Sequence, residues 1–363
     1  MRTNKYLLKT VAFLVVAVLS FWGSVNLLSN HTSHTFNAIA EENEEITTGL
    51  LNYSDGSVYE GEILYGRIRT GTGTYTWTTG EVYSGIWDND IPSGKGKFEW
   101  PGLGIYDGDF LNGKREGTGS FTWTYEGEPP EGAPVIYNGE WANDKISGKG
   151  TLELSGVGTY EGEFDKQQRS GTGTFTWQNG DIYTGSWARD GIEGNGVLTL
   201  KDGTVLEGTF SKNYLIKGTM TYSTASGIVV RNVANGKAQN PVEITYKDGT
   251  VVRGNVKGEE FVGNVTISYS SGDEYVGTIK NGVKNGKGTY TWKNGAHYIG
   301  DWVNDKMSGN GKYFYGKDES SLYLVGTFLN GYPDGTLTYI AETKIKYQTI
   351  WSNGKCTNIF YKK

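Results

Sequence analysis

From residue 49 onward, polar and apolar positions alternate along the chain in short runs. In Gly171-Thr172-Gly173-Thr174-Phe175-Thr176-Trp177 the threonines fall on one face of an extended segment and the glycines and aromatic rings on the other. Tyr183, Gly185 and Trp187 alternate in the same way with Thr184 and Ser186. A period of two predicts β-strands. Between such runs stand Asn179-Gly180, Asp202-Gly203, Asp248-Gly249 and Asn294-Gly295, dipeptides that supply the positive φ of tight hairpin turns. The expected fold is all-β, a series of antiparallel hairpins with almost no helix.

The hairpins repeat. Marker sets recur as Tyr83, Gly85, Trp87, Gly94 and Gly96; as Tyr160, Gly162, Phe164, Gly171 and Gly173; and as Tyr183, Gly185 and Trp187. They return as Tyr275, Gly277, Gly286 and Gly288, and again as Tyr298, Gly300, Trp302, Gly309 and Gly311. Units open at Tyr59, Tyr83, Tyr106, Tyr137, Tyr160, Tyr183, Leu206, Val229, Val252, Tyr275, Tyr298, Leu324 and Tyr347, mostly 23 residues apart. Each unit reads as one strand, a polar loop of about six residues and a second strand. The glycines leave bare backbone on which a neighbouring Tyr or Trp can lie flat. An isolated hairpin is marginal in water, so about twelve stacked in series supply the burial that one lacks. The expected product is an elongated single-layer sheet filling residues 49–363.

The first 48 residues break this pattern. Residues 11–28 are almost wholly apolar and follow Arg2, Lys5 and Lys9, while Glu41, Glu42, Glu44 and Glu45 come after. Positive charge before an apolar helix places the N-terminus in the cytoplasm and the bulk of the chain outside. Residues 1–28 are therefore expected to be a signal anchor, a single membrane-spanning helix, or a signal peptide cleaved near Ala38-Ile39-Ala40 and leaving a secreted array. Residues 29–48 read as a polar tether.

Composition narrows the chemistry. Gly supplies 55 of 363 residues and Pro only 7, against 49 aromatic residues, which excludes collagen and a disordered chain. One Cys and three His give no disulfide framework, metal site or Ser-His-Asp triad, and no cofactor is expected. The formal charge of -6 disfavours nucleic acid and anionic lipid headgroups. Glu60 with Glu62 and Glu161 with Glu163 could be taken for acid/base pairs, but they recur with the repeat and share the Thr/Ser face, as a solvated face does. No catalytic residue is expected.

Tyr-x-Gly-x-Trp followed by Gly-x-Gly-x-aromatic, at a 23-residue step, resembles the MORN (membrane occupation and recognition nexus) repeat over nearly all of 49–363, and eight units keep most of the markers. The resemblance implies a twisted single-layer antiparallel sheet serving as a scaffold or interaction module. It also brings an association with phospholipids, which the acidic composition does not support. Family members with a catalytic domain carry it outside the repeats, and this chain has no such segment.

Specificity must then sit where units differ. Residues 124–135 form an insertion expected to project as a loop, with Glu126, Glu128, Pro129, Pro130, Glu131 and Pro134 as candidate partner-binding residues. Between 206 and 272 the aromatics give way to Leu, Val and Ile, Arg231 replaces a marker glycine, and the array is expected to bend. The function expected is a non-enzymatic, membrane-anchored, extracytoplasmic scaffold for protein–protein interaction or self-association. An envelope-glycan or phospholipid-binding module remains the alternative.

Overall fold

The computed structural model describes residues 45–258, 260–317, 319 and 322–361. The apolar segment 1–28 and the tether up to residue 44 lie outside the described residues. Among those described, every regular element is a β-strand, 28 in number, and no helix is long and apolar enough to cross a membrane. The first strand, Ile46–Asn52, claims residues expected to belong to the tether.

The described chain falls into two units, one holding 45–201 and 209–214, the other 202–208 and the chain from 215 onward. Within the first, thirteen consecutive strands from Ile46–Asn52 to Gly191–Thr199 each pair antiparallel with their predecessor. The second runs in the same way from Tyr214–Ser223 to Lys355–Tyr361. The boundary between units falls where the aromatic markers give way to aliphatic ones.

The turns correct the expected hairpin geometry in two ways. At Asn179-Gly180 only the glycine is left-handed, at φ 94°. Trp177 N donates to Asp181 O and Gly180 N to Trp177 O, which makes a three-residue loop closed by glycine. The two-residue turns lie inside the units instead, where Asn89-Asp90, Asn143-Asp144, Lys166-Gln167, Arg189-Asp190 and Asn304-Asp305 are left-handed at both positions. The predicted six-residue polar loop is mostly strand, and Gln168–Trp177 begins directly after Lys166-Gln167. Continuity is kept by a bulge. Gly171, at φ 59°, absorbs the register shift opposite Gly162 and Glu163, so the first glycine of Gly-x-Gly bends the strand and does not lie under a ring.

The second glycine of that pair has a different task. Gly162 faces Gly173 across the ladder, Gly173 faces Gly185, and the series runs unbroken from Gly49 through Gly61, Gly73, Gly85 and onward to Gly196. The marker tyrosines lie flat on this column. A Cβ on Gly173 would fall inside the Tyr160 ring, and one on Gly162 would strike both Tyr160 Oη and the Gly173 backbone. Tyr59, Tyr83, Tyr106, Tyr137, Tyr160, Tyr183, Tyr275 and Tyr298 are each 0% exposed. Every one donates its hydroxyl to the carbonyl three residues on, at 2.8–3.1 Å, so a buried polar group is satisfied without interrupting the ladder.

Three of the four aliphatic units show the same fit by substitution, while the Leu206 unit keeps Gly208 and Gly218. Where Val229, Val252 and Leu324 replace the tyrosine, Val242, Val265 and Leu337 occupy the second glycine position. All six are buried. Loss of the ring leaves a void that a side chain on the facing strand refills. We predict that Gly173→Ala lowers stability by roughly 1–3 kcal/mol through overpacking. Gly316→Ala, whose added Cβ meets nothing, should fall within about 0.5 kcal/mol of the parent. Thermal melts of the two variants check this.

Candidate interaction surface

Four residues past Tyr83, Tyr106, Tyr137, Tyr160, Tyr183 and Tyr298 stands a second ring, and these rings lock consecutive units. Trp187 meets its own Tyr183 at 5.4 Å and the preceding Tyr160 at 5.1 Å, both edge-to-face. Phe164 is held in the same manner by Tyr160 and Tyr137, and Phe110 by Tyr106 and Tyr83. In the second unit Trp302 is clasped by Tyr298 and Tyr275. The markers Tyr83, Trp87, Tyr160, Phe164, Tyr183 and Trp187 therefore come together as packing along one face of the first unit, and Tyr275, Tyr298 and Trp302 do so within the second.

The sequence reading missed a cation built into this face. Arg169 lies over Trp187 at 4.9 Å and is 7% exposed. Its Nε pairs with Asp190 at 3.2 Å, its Nη2 donates to Asp190 O at 2.9 Å, and its backbone N–H donates to the same carboxylate at 2.9 Å. Burial pulls the guanidinium below its usual range and Asp190 opposes that. Arg69 with Trp87 and Asp90, and Arg115 with Trp141 and Asp144, repeat the arrangement, and Lys284 with Trp302 and Asp305 approximates it. In each case the Trp Nε1 donates to the second-glycine carbonyl of the preceding unit, at 3.0–3.1 Å. The intervening units carry Pro92, Ile146, Ile192 and Met307 where the cation would be. The signal was present in the sequence as an Asp closing the turn after Trp87, Trp141, Trp187 and Trp302, 21 residues after an Arg or Lys in most cases.

The opposite face is polar. Glu62 Oε1 accepts from Thr72 N and Thr72 Oγ1, and Glu163 accepts in the same way from Thr172. Asp109 does so from Thr118. These carboxylates fasten the bulges, which corrects their reading as merely solvated. The threonine hydroxyls hold Glu62 and Glu163 below the usual carboxylate range, and Lys95 does the same for Asp109. Beside Glu62 opens a shallow furrow of about 550 Å³, lined by Gly61, Gly73 and Gly85 and by Thr48, Glu60, Thr72, Thr74, Ile86 and Lys95.

The insertion is shorter and better fastened than expected. Pro134 already belongs to the strand Pro134–Ala142, paired with Leu154. Ser155 Oγ donates to Pro129 O at 3.2 Å, Gly132 N to Ser155 O at 2.6 Å, Ser155 N to Ala133 O at 2.9 Å and Tyr125 Oη to Pro134 O at 2.7 Å. The loop is thus stitched to the neighbouring hairpin and does not project freely. Glu126, Glu128 and Glu131 remain exposed at its rim, with Pro130 between them.

A single backbone pattern repeated strand after strand, with its contacts made between adjacent units, defines a β-hairpin repeat protein. The chain belongs to the MORN-repeat family, since residues 59–82, 83–102, 106–124, 137–155, 160–182, 183–205, 275–297 and 298–318 match the MORN repeat. These eight stretches are the eight whose tyrosine lies on paired glycines. No curated protein matches the chain.

Burial pushes the hydroxyls of Tyr59, Tyr183 and Tyr275 up to about 12 and raises those of Tyr106, Tyr137 and Tyr160 as well. Raised tyrosine values mean that the folded chain holds protons the unfolded chain releases near pH 10. The stability they carry is complete below about pH 10 and is lost as pH rises through the folded values. In an alkaline titration, tyrosinate absorbance from these rings should appear together with loss of the β-sheet signal. Ionisation of all tyrosines near pH 10 with the sheet intact would contradict the burial.

Proposed function

We propose that the chain is a non-catalytic scaffold, anchored by its N-terminal apolar segment with the repeats outside the cytoplasm, that holds another protein or a second copy of itself. The observation that carries this reading is the fate of the markers. Tyrosines, glycines, second rings and latch cations are consumed in joining one unit to the next, so they recur along the repeats for packing and name no partner. What differs between units, and is open to a partner, is the acidic rim at Glu126, Glu128 and Glu131 and the side chains of the polar face. The anchoring half of the proposal rests on the basic residues before 11–28 and the four glutamates after it.

A glycan platform finds less support. Sugar stacking needs open ring faces, and along the margin Trp77 stacks on Phe98 at 5.2 Å and Phe98 on Trp100 at 3.9 Å, so neighbouring rings cover one another.

The test uses the full chain in its own cells. Externally added protease should digest the repeats while the N-terminal residues stay with the membrane. Glu126→Gln, Glu128→Gln and Glu131→Gln together should leave melting unchanged and remove the partner band seen on cross-linking. Repeats protected from protease would overturn the topology, and an unaltered cross-linking pattern would overturn the role of the rim.

A further inference from the structure

Arg231 departs from the pattern that the latch cations follow. Arg69, Arg115, Arg169 and Lys284 each lie over aromatic rings and meet an Asp. Arg231 stands on the same side of the strand Gly227–Ala234 as Val229 and Val233, both buried. It takes the place that Gly162 and Gly185 hold in their units, opposite Met220 on one neighbouring strand and Val242 on the other. Its Nε is buried, and no hydrogen bond or ion pair among the described residues holds its guanidinium. The single carboxylate of these three strands, Glu243, stands in register with Val230 and so belongs to the opposite face, where Arg253 engages it.

A buried donor without an acceptor is costly, and native folds rarely leave one. Packing does not require it here. The units of Val252 and Leu324 have also lost the tyrosine ring, and they keep Gly254 and Gly326 where this unit carries Arg231. A Cβ at those glycines would come within 2.7 Å of Val265 and 2.5 Å of Leu337. An aliphatic unit thus closes its core with glycine at this position, and the arginine is an addition to that core. Part of the Arg231 side chain stays in solvent, so the guanidinium can be reached.

We infer that Arg231 receives a carboxylate from outside the chain, an Asp or Glu side chain on a partner protein whose neighbouring residues are apolar. That carboxylate supplies for Arg231 the acceptor that Asp190 supplies for Arg169, in a charge-assisted hydrogen bond. Apolar neighbours suit the valines that surround it, as an interface core is depleted of other charges. The site lies where the repeat markers are weakest, so a preference for one partner is carried there without disturbing a ring contact. It adds a contact to the scaffold reading and rests on that reading for the existence of a partner.

The full chain carrying ¹⁵N-arginine, observed through its Nε–H resonances, tests the site. The chain has eight arginines, and Arg231→Lys assigns the resonance in question. Acetyl-Val-Asp-Val-amide should shift that resonance saturably, and acetyl-Val-Asn-Val-amide should need at least about tenfold more peptide, the share of affinity that one charge-assisted bond carries. The resonances of Arg69, Arg115 and Arg169, whose Nε already meets an Asp, should stay in place. Arg231→Met keeps the stem and removes the donor, so it should melt at or above the parent temperature. Arg169→Met strands Asp190 and should melt several degrees lower. Equal responses to the two peptides, or none, would overturn the inference. So would a shift produced by inorganic phosphate but not by the Asp peptide, or a fall in melting for Arg231→Met as large as that for Arg169→Met. None of these outcomes bears on the Glu126–Glu131 rim, whose cross-linking test stands apart.

Discussion

A tyrosine ring pressed flat on the backbones of two facing glycines is the contact on which the rest of the molecule depends. The ring must be buried for a one-residue-deep sheet to have a core, and only residues without a Cβ let it approach that closely. Two glycines per unit follow from this requirement. The hydroxyl, once buried, needs an acceptor, and the carbonyl three residues on supplies it at hydrogen-bond distance. Where Val229, Val252 and Leu324 replace the ring, Val242, Val265 and Leu337 fill the second glycine site, whereas Leu206 keeps Gly208 and Gly218.

What the tyrosines do within a unit, the second rings and their cations do between units. An edge-to-face aromatic pair contributes about 0.5–1.5 kcal/mol beyond its burial, and each second ring makes two such pairs. The Arg-Trp-Asp latch is added at every other junction within the matched repeats. A buried cation is costly without its acid, so the latch ties a turn of one unit to a strand of the unit before. The natural building block is therefore a pair of units, one bearing the Arg or Lys and the next bearing the Trp and Asp.

Period-two alternation and the Tyr-x-Gly-x-Trp spacing made the strands, their antiparallel order and the buried aromatic face legible in the sequence, because each depends on side-chain direction alone. The two glycines of Gly-x-Gly looked equivalent there. Only the backbone distinguishes Gly171, which bends the strand, from Gly173, which carries a ring. Arg169 and Asp190 were read as loop polarity because their meeting depends on a junction between units, and an ion pair 21 residues apart leaves no local pattern. The insertion was read as a free projection for a related reason, since Ser155, the residue that stitches it down, belongs to the hairpin beyond.

If ring and glycine are one contact, their energetics must be coupled, and a double-mutant cycle between Tyr160→Leu and Gly173→Ala measures that coupling directly. Alanine at 173 should be costly under the tyrosine ring and cheap under leucine, giving an interaction energy of about 1–3 kcal/mol, the range found for residues in contact. Additive losses, with Gly173→Ala equally damaging in both backgrounds, would contradict the account and leave the glycine column explained by backbone conformation alone.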